Sequence, residues 1–445
     1  MRRWLATGVV GSALVALGGL VVGTRPMASS MPPWSGYLAA YAGLTLLVVN
    51  WLSLGAALLG GAVLDRASSR WLLVAWSAPL VLGGPLYSRD AFSYVAQGRL
   101  ADLGFNPYRA GPARLGAGPY LSAVGHIWRG THAPYGPLFV VIERVVVHST
   151  PSVVAAVLGM RLVALVGIAL LAAFLPRLAR VHGASETVAL WLGLLNPLLL
   201  LHLVGGAHND ALMIGLLVAG LALAGEGRPT LGLVLATMAA AVKVPALLGV
   251  LYLAADQVLA RPGVERRRAA LRAVVVAGGT FVALTAVAGF GWGWVTAVGT
   301  PGRVHTLLSP STAIGAIVAR LGVGPVAITT ARLVGVALAL VVLPVLFVLR
   351  PRLGSGRMLA ASMFAVVVLG PVVQPWYLLW GLVLLAAAGS GLLLPVVVWV
   401  SAVLPYLVLP DGTSAADVVL LAFLVLTALV TWWTLPAWQP AAEAA

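Results

Sequence analysis

Apolar runs long enough to cross a bilayer recur along nearly the whole 445-residue chain, from Trp4 to Leu435, and the polar positions fall in the gaps between them. A hydrocarbon layer of about 30 Å takes roughly 20 apolar residues as a helix. The pattern therefore predicts an all-α polytopic membrane protein, with helices near 4 to 23, 36 to 63, 71 to 87, 152 to 175, 187 to 203, 210 to 225, 272 to 290, 326 to 349, 358 to 372, 376 to 390, 392 to 409 and 415 to 435. The first run, behind Arg2 and Arg3, is long for a secretory leader and lacks a small-residue cleavage pattern, so it reads as a retained first helix. The stretch near 138 to 149 is too short to span and contains Glu143 and Arg144, which predicts an interfacial or partly re-entrant helix.

Basic loops stay in the cytoplasm, and this orients the segments. Arg2, Arg3, DRASSR at 65 to 70, Arg177, Arg180, Arg350, Arg352 and Arg357 fit one alternation, but a single crossing from Leu231 to Ala255 would put RPGVERRRAALR, 261 to 272, outside. A break at Lys243, Val244 and Pro245 removes the conflict. Two short helices then enter from the cytoplasm and return to it with Lys243 at their tip, as discontinuous helices lining a cavity can. This gives about 14 segments and a cytoplasmic C-terminus, in one transmembrane domain, 1 to 440, followed by a short tail, 441 to 445. The outer side carries two long connections, 88 to 137 and 291 to 325. Both exceed ordinary loop lengths and are expected to be functional.

Composition agrees: 61% of residues are hydrophobic and 9% charged, against about a quarter charged in a soluble domain, and no room remains for a large soluble domain. The formal charge of +15 is spread over many loops. Without a stripe or reader motif it points to anionic lipid, and nucleic acid is not an expected partner. The chain has no cysteine, which excludes disulfides, thiolate metal sites and cysteine nucleophiles.

Polar residues at the outer ends of the segments supply the candidate chemistry. Asp90, in SRDAFSYVAQG, follows an apolar run where the chain reaches water. It suits the cap of a helix starting at Ala91, yet an ionisable group beside a bilayer-facing segment also signals function. Tyr94 fits interface anchoring and sugar stacking alike. Asn106 and Tyr108 in LGFNPYRAGP, and Tyr135 in HAPYGPL, occupy turn motifs. In GGAHND, His208, Asn209 and Asp210 either cap the next helix or bind substrate. Lys243, in apolar sequence with no acidic neighbour along the chain, wants an anion, and a lipid phosphate would supply one. Arg303, with His305, either pairs with that phosphate or snorkels to headgroups. Gln374 and Tyr377 lie in QPWY, which also reads as an interfacial aromatic belt. Asp90, His208 and Asp210 are possible metal ligands, but with so few carboxylates no divalent metal or other cofactor is expected.

Several of these motifs recur together in a known family. YSRDAFSYVAQGRLADLGFNPY, then W-x-x-T-x-APYGPL, NPLLLLHLVGGAHNDALM, KVPALL and QPWYLLWG, in that order between about residues 70 and 380, resemble the actinobacterial polyprenol-phosphomannose-dependent α-1,6-mannosyltransferases, membrane glycosyltransferases of the GT-C superfamily. The resemblance implies a GT-C-like bundle and a catalytic Asp in the first large outer loop, a position matched by Asp90. It also implies a lipid-linked sugar donor, a mannan glycolipid acceptor of the lipomannan type, and an active site on the extracytoplasmic face of the cytoplasmic membrane. A donor already activated on a lipid phosphate needs no nucleotide fold. Single-step inversion would then use Asp90 as base, with Lys243, Arg303 and Arg89, in that order, meeting the phosphate charge. Tyr94, Asn106, Tyr108, Tyr135, His208, Asn209, Asp210, Gln374 and Tyr377 are the substrate-binding candidates. Two alternatives stand: related members use polyprenyl phosphoarabinose, and a transporter or lipid flippase also builds on broken helices.

Overall fold

A computed structural model describes residues 1–24, 31–297, 299–303 and 306–413. Among the described residues five helices are long and apolar enough to cross a membrane, Arg2–Val22, Pro33–Leu59, Val153–Val181, Gly263–Ala288 and Val326–Val348, and a bent pair, Glu186–Leu194 with Leu199–Gly205, reaches the same length and apolarity when taken together. Shorter apolar helices complete an all-α polytopic membrane protein. The helix expected at 415 to 435 and the tail at 441 to 445 lie outside the described residues.

The chain forms two compact units. The first comprises, of the described residues, 1–89, 175–208 and 386–413. Its first two helices run antiparallel along a glycine seam, where a β-carbon on Gly18 would lie 2.5 Å from the Gly36 carbonyl oxygen and one on Gly43 2.5 Å from that of Gly11. Small residues of this kind let membrane helices approach closely. Trp51 and Trp191 stack with ring centroids 5.0 Å apart, and each indole N–H donates to the other's carbonyl at 3.0 Å. The single helix expected over 187 to 203 is instead bent by 58°. Pro197 has no N–H and its ring obstructs the helix. Asn196 fills the break: its Oδ1 accepts from Leu198 N at 2.9 Å, and its Nδ2 donates to Leu192 O and Ser401 Oγ.

The second unit, 90–174 and 209–385, holds the chemistry. Helices Asp210–Gly225 and Pro229–Val242 pack glycine against glycine at Gly220 and Gly232. The chain then breaks at Lys243, whose backbone is extended (φ −150°, ψ 126°), and continues as Leu247–Leu259. Pro245 enforces the break, since it cannot donate and would clash with the Ala241 carbonyl in a continuous helix. Gln257 Nε2 donates to Pro229 O at 3.3 Å, tying the open ends together. The return helix therefore ends on the side where the first began, and Lys243 sits at the tip, as the charge argument expects.

Residues 88 to 137 are not one loop. Asp90–Asp102 is a helix that starts at Asp90 itself, one residue before the expected Ala91, and 91–101 are buried except Arg99. It lies against Pro137–His148, where a β-carbon on Gly98 would come within 2.4 Å of the Glu143 carbonyl. The second long connection likewise contains helices Gly293–Ala297 and Pro310–Val318.

Candidate functional site

A cavity of about 460 Å³ opens in the second unit, and Asp90, Tyr135, Lys243, Gln374, Tyr377 and Trp380 lie on its wall. Leu247, Leu248 and Leu251 descend from Lys243 along the return helix and, with Val366 and Val367, line its apolar side. Leu247 and Leu251 are 38% and 58% exposed, so this side opens at the surface of the bundle. Helix ends place three of the polar groups: Asp90 begins one helix, Lys243 is the hairpin tip, and Gln374 precedes the turn Pro375–Leu378.

Lys243 does have an acidic partner, contrary to the expectation from its neighbours in sequence. Its Nζ donates to both carboxylate oxygens of Asp210, each at 2.9 Å, and Asp210 is wholly buried. Trp380 Nε1 donates to the same Oδ1 at 2.6 Å. The ammonium also lies over the Tyr377 and Trp380 rings, 4.6 and 5.3 Å from their centroids, and the two rings stack 4.5 Å apart. Among the described residues no three His, Asp or Glu side chains gather at ligand spacing.

Behind the Asp90 wall, Tyr94, Tyr135 and Phe139 meet edge to face with centroids 5.0 to 5.2 Å apart. Burial pushes the Tyr135 phenol well above its ordinary value, and the Asp90 charge adds to this, so Tyr135 presents an O–H. Tyr94 makes long contacts to Asn209, donating to its Oδ1 and accepting from its backbone N, both at 3.5 Å. The Asp90 helix is thereby linked to the segment that starts at Asp210.

Asp90, Tyr135, Lys243, Gln374 and Tyr377 thus share one cavity, with Tyr94, Asn209 and Asp210 just behind it. Asn106 and Tyr108 are placed differently, by the folding of their turn. Asn106 Oδ1 accepts from Tyr108 N at 2.9 Å and its Nδ2 donates to Phe290 O, while Tyr108 is packed in a cluster with Ala101, Ala133, Val140 and Ala297. His208 is fully buried in the first unit, and Arg89, in the same unit, is exposed. Arg303 ends the turn Thr300–Arg303, but its side chain, like His305, lies outside the described residues. Trp128 and Trp380 stand in the motifs W-x-x-T-x-APYGPL and QPWYLLWG but are not among the candidate site residues read from the sequence. Trp380 stands three residues after Tyr377, one helical turn, and that spacing is the available signal.

Fold and cavity together define the class: a polytopic membrane protein that holds a carboxylate and an ammonium in the lining of one cavity. The description of the alpha-(1->6)-mannopyranosyltransferase N-terminal domain matches residues 4–258, and that of the MptB C-terminal domain matches 305–437. A Mycolicibacterium smegmatis protein named "Probable alpha-(1->6)-mannopyranosyltransferase" is 37% identical, with 87% of this chain and 79% of that protein covered. Alpha-(1->6)-mannopyranosyltransferase A of Mycobacterium tuberculosis is 35% identical over 85% of this chain and 79% of its own. Alpha-(1->6)-mannopyranosyltransferase B of Corynebacterium glutamicum is 32% identical over 97% and 82%. The chain belongs to the alpha-(1->6)-mannopyranosyltransferase family of enzymes.

Proposed function

We propose that the chain moves mannose from a polyprenyl phosphomannose to a C6 hydroxyl of an α-1,6-mannan glycolipid, on the extracytoplasmic face of the cytoplasmic membrane, with inversion in a single step. The observation that carries this reading is the make-up of one cavity. Asp90 and Lys243 line it together with Tyr135 and Tyr377, and a leucine-lined side opens at the bundle surface. An amphiphilic donor fits that division, with prenyl chain along Leu247, Leu248 and Leu251, phosphate at Lys243 and sugar beside the aromatic rings. The α-1,6 linkage is supported by the names of the relatives.

The acceptor oxygen bonds to the anomeric carbon as the bond from that carbon to the phosphate oxygen breaks. Asp90 takes the hydroxyl proton, and polyprenyl phosphate leaves with the electron pair. Charge grows on the phosphate as the bond lengthens, so an ammonium placed there stabilises the transition state more than the ground state. A positioned base contributes about 10²- to 10⁴-fold.

The test is transfer by the purified protein from synthetic polyprenyl phosphomannose to an α-1,6-mannoside, with linkage analysis of the product. Asp90→Asn is expected to fold normally and lose about 10²- to 10⁴-fold in turnover; near-normal turnover would remove Asp90 as base. Transfer only from polyprenyl phosphoarabinose would replace the sugar, and lipid translocation without transfer would replace the reaction.

A further inference from the structure

We propose, resting on the phosphate-binding role of Lys243, that Asp210 is a positioning residue that aims the Lys243 ammonium into the cavity, and that Trp380 fixes Asp210 in turn. Lysine is a compact charge on a flexible four-carbon stem with three rotatable donors. At the tip of a broken hairpin its backbone alone would not give that charge a direction. Here both oxygens of Asp210 hold Nζ at 2.9 Å, the Trp380 indole holds Oδ1 at 2.6 Å, and the stacked faces of Tyr377 and Trp380 support the ammonium from another side. Two of the three N–H groups meet the carboxylate, which leaves the third for the cavity that Lys243 lines.

Stability is a poor explanation for this arrangement. A buried ion pair is often no better than well-packed apolar residues of the same volume, because both charges must be desolvated. Simple attraction explains it no better, since a carboxylate at 2.9 Å reduces the positive potential that an incoming phosphate meets. Direction is what Asp210 adds, and transition-state stabilisation needs direction, because the charge to be met develops at one oxygen.

The two roles predict opposite signs. If Asp210 is only a counter-charge, Asp210→Asn leaves a more positive cavity and the KM for polyprenyl phosphomannose falls. If it aims the ammonium, the same change raises donor KM and lowers kcat/KM on the order of 100-fold, while the KM for the mannoside acceptor stays put. Trp380→Phe keeps a ring under the ammonium and removes only the N–H. It is expected to lower kcat/KM by about 10-fold, in line with loss of one hydrogen bond to a charged group. Asp210→Asn/Lys243→Gln should be no worse than Lys243→Gln alone, because both changes remove the same interaction.

Thermal midpoints of all four proteins separate folding from function; if Asp210→Asn does not fold, Trp380→Phe carries the test. Unchanged or lower donor KM in Asp210→Asn, or wild-type kinetics in a folded Trp380→Phe, would overturn the proposal while an impaired Lys243→Gln left the phosphate site standing. Unchanged donor KM in Lys243→Gln would instead overturn the phosphate site itself.

Discussion

Gly136→Ala tests how closely the two walls of the cavity are registered. Gly136 stands between Tyr135 and helix Pro137–His148 at φ −71° and ψ 170°, which alanine adopts freely, so any effect is steric. Its N–H donates to Val242 O at 3.1 Å, one residue before Lys243. A β-carbon there would lie 2.2 Å from the Ala241 carbonyl oxygen and 2.5 Å from its carbon, whereas ordinary contacts begin at 3.4 Å. Packed interiors have little slack, so the Tyr135 segment and the hairpin tip must part by about 1 Å. Overpacking of this kind costs about 1–3 kcal/mol, and losing the Gly136–Val242 hydrogen bond adds about 1 kcal/mol. The same 1 Å displaces Tyr135 from Lys243 across the site, which lowers kcat/KM on the order of 10²-fold. Thermal unfolding in detergent and initial rates of mannosyl transfer measure the two effects on one preparation. Wild-type stability would refute the steric argument. A destabilised variant with wild-type kcat/KM would show that the register of Tyr135 and Lys243 does not matter to the reaction.

The parts of this fold legible in the sequence are those where one physical constraint acts alone. Long apolar runs became spans because nothing else satisfies their backbone in lipid, and the break at Lys243 was legible because the arginines at 261–272 forbid a single crossing there and Pro245 forbids a continuous helix. The bend at Asn196 had its signal too, an Asn-Pro pair inside an apolar run, yet hydropathy alone reads straight through it. The Asp90–Asp102 helix was legible at its start, where Asp90 suits a cap, but not in its extent: buried along most of its length, with Ser93, Gln97 and Gly98 among its buried positions, it has no amphipathic period to detect. Lys243 found its acid 33 residues away, on the neighbouring helix, a pairing that spacing along the chain does not reveal. Asn106 and Tyr108 show the converse, since they sit in a motif beside Asp90 in sequence but spend their side chains on the turn and its core.

Glu143 is wholly buried, neither carboxyl oxygen has a hydrogen-bond partner among the described residues, and burial pushes its carboxyl well above the usual carboxylate range. A folded-state value above the unfolded one, about 4.3, gives a stabilisation that is complete below that pH and lost as pH rises through the folded value. The thermal midpoint of Glu143→Gln, neutral throughout, should therefore gain on wild type as pH rises above the unfolded value of about 4.3; parallel curves would mean that Glu143 is not held neutral. Orientation can be tested without altering the background, because the chain has no cysteine to remove. Ser122, exposed in the connection that starts with Asp90, and Val264, 64% exposed within the basic segment, mark the two sides. A membrane-impermeant maleimide should label Ser122→Cys in intact cells and Val264→Cys only after permeabilisation, because the arginines around Val264 resist translocation. The reverse pattern would put Asp90 on the cytosolic side. A donor presented outside the cell membrane would then never meet the carboxylate, and the assignment of Asp90 as base would fall with it.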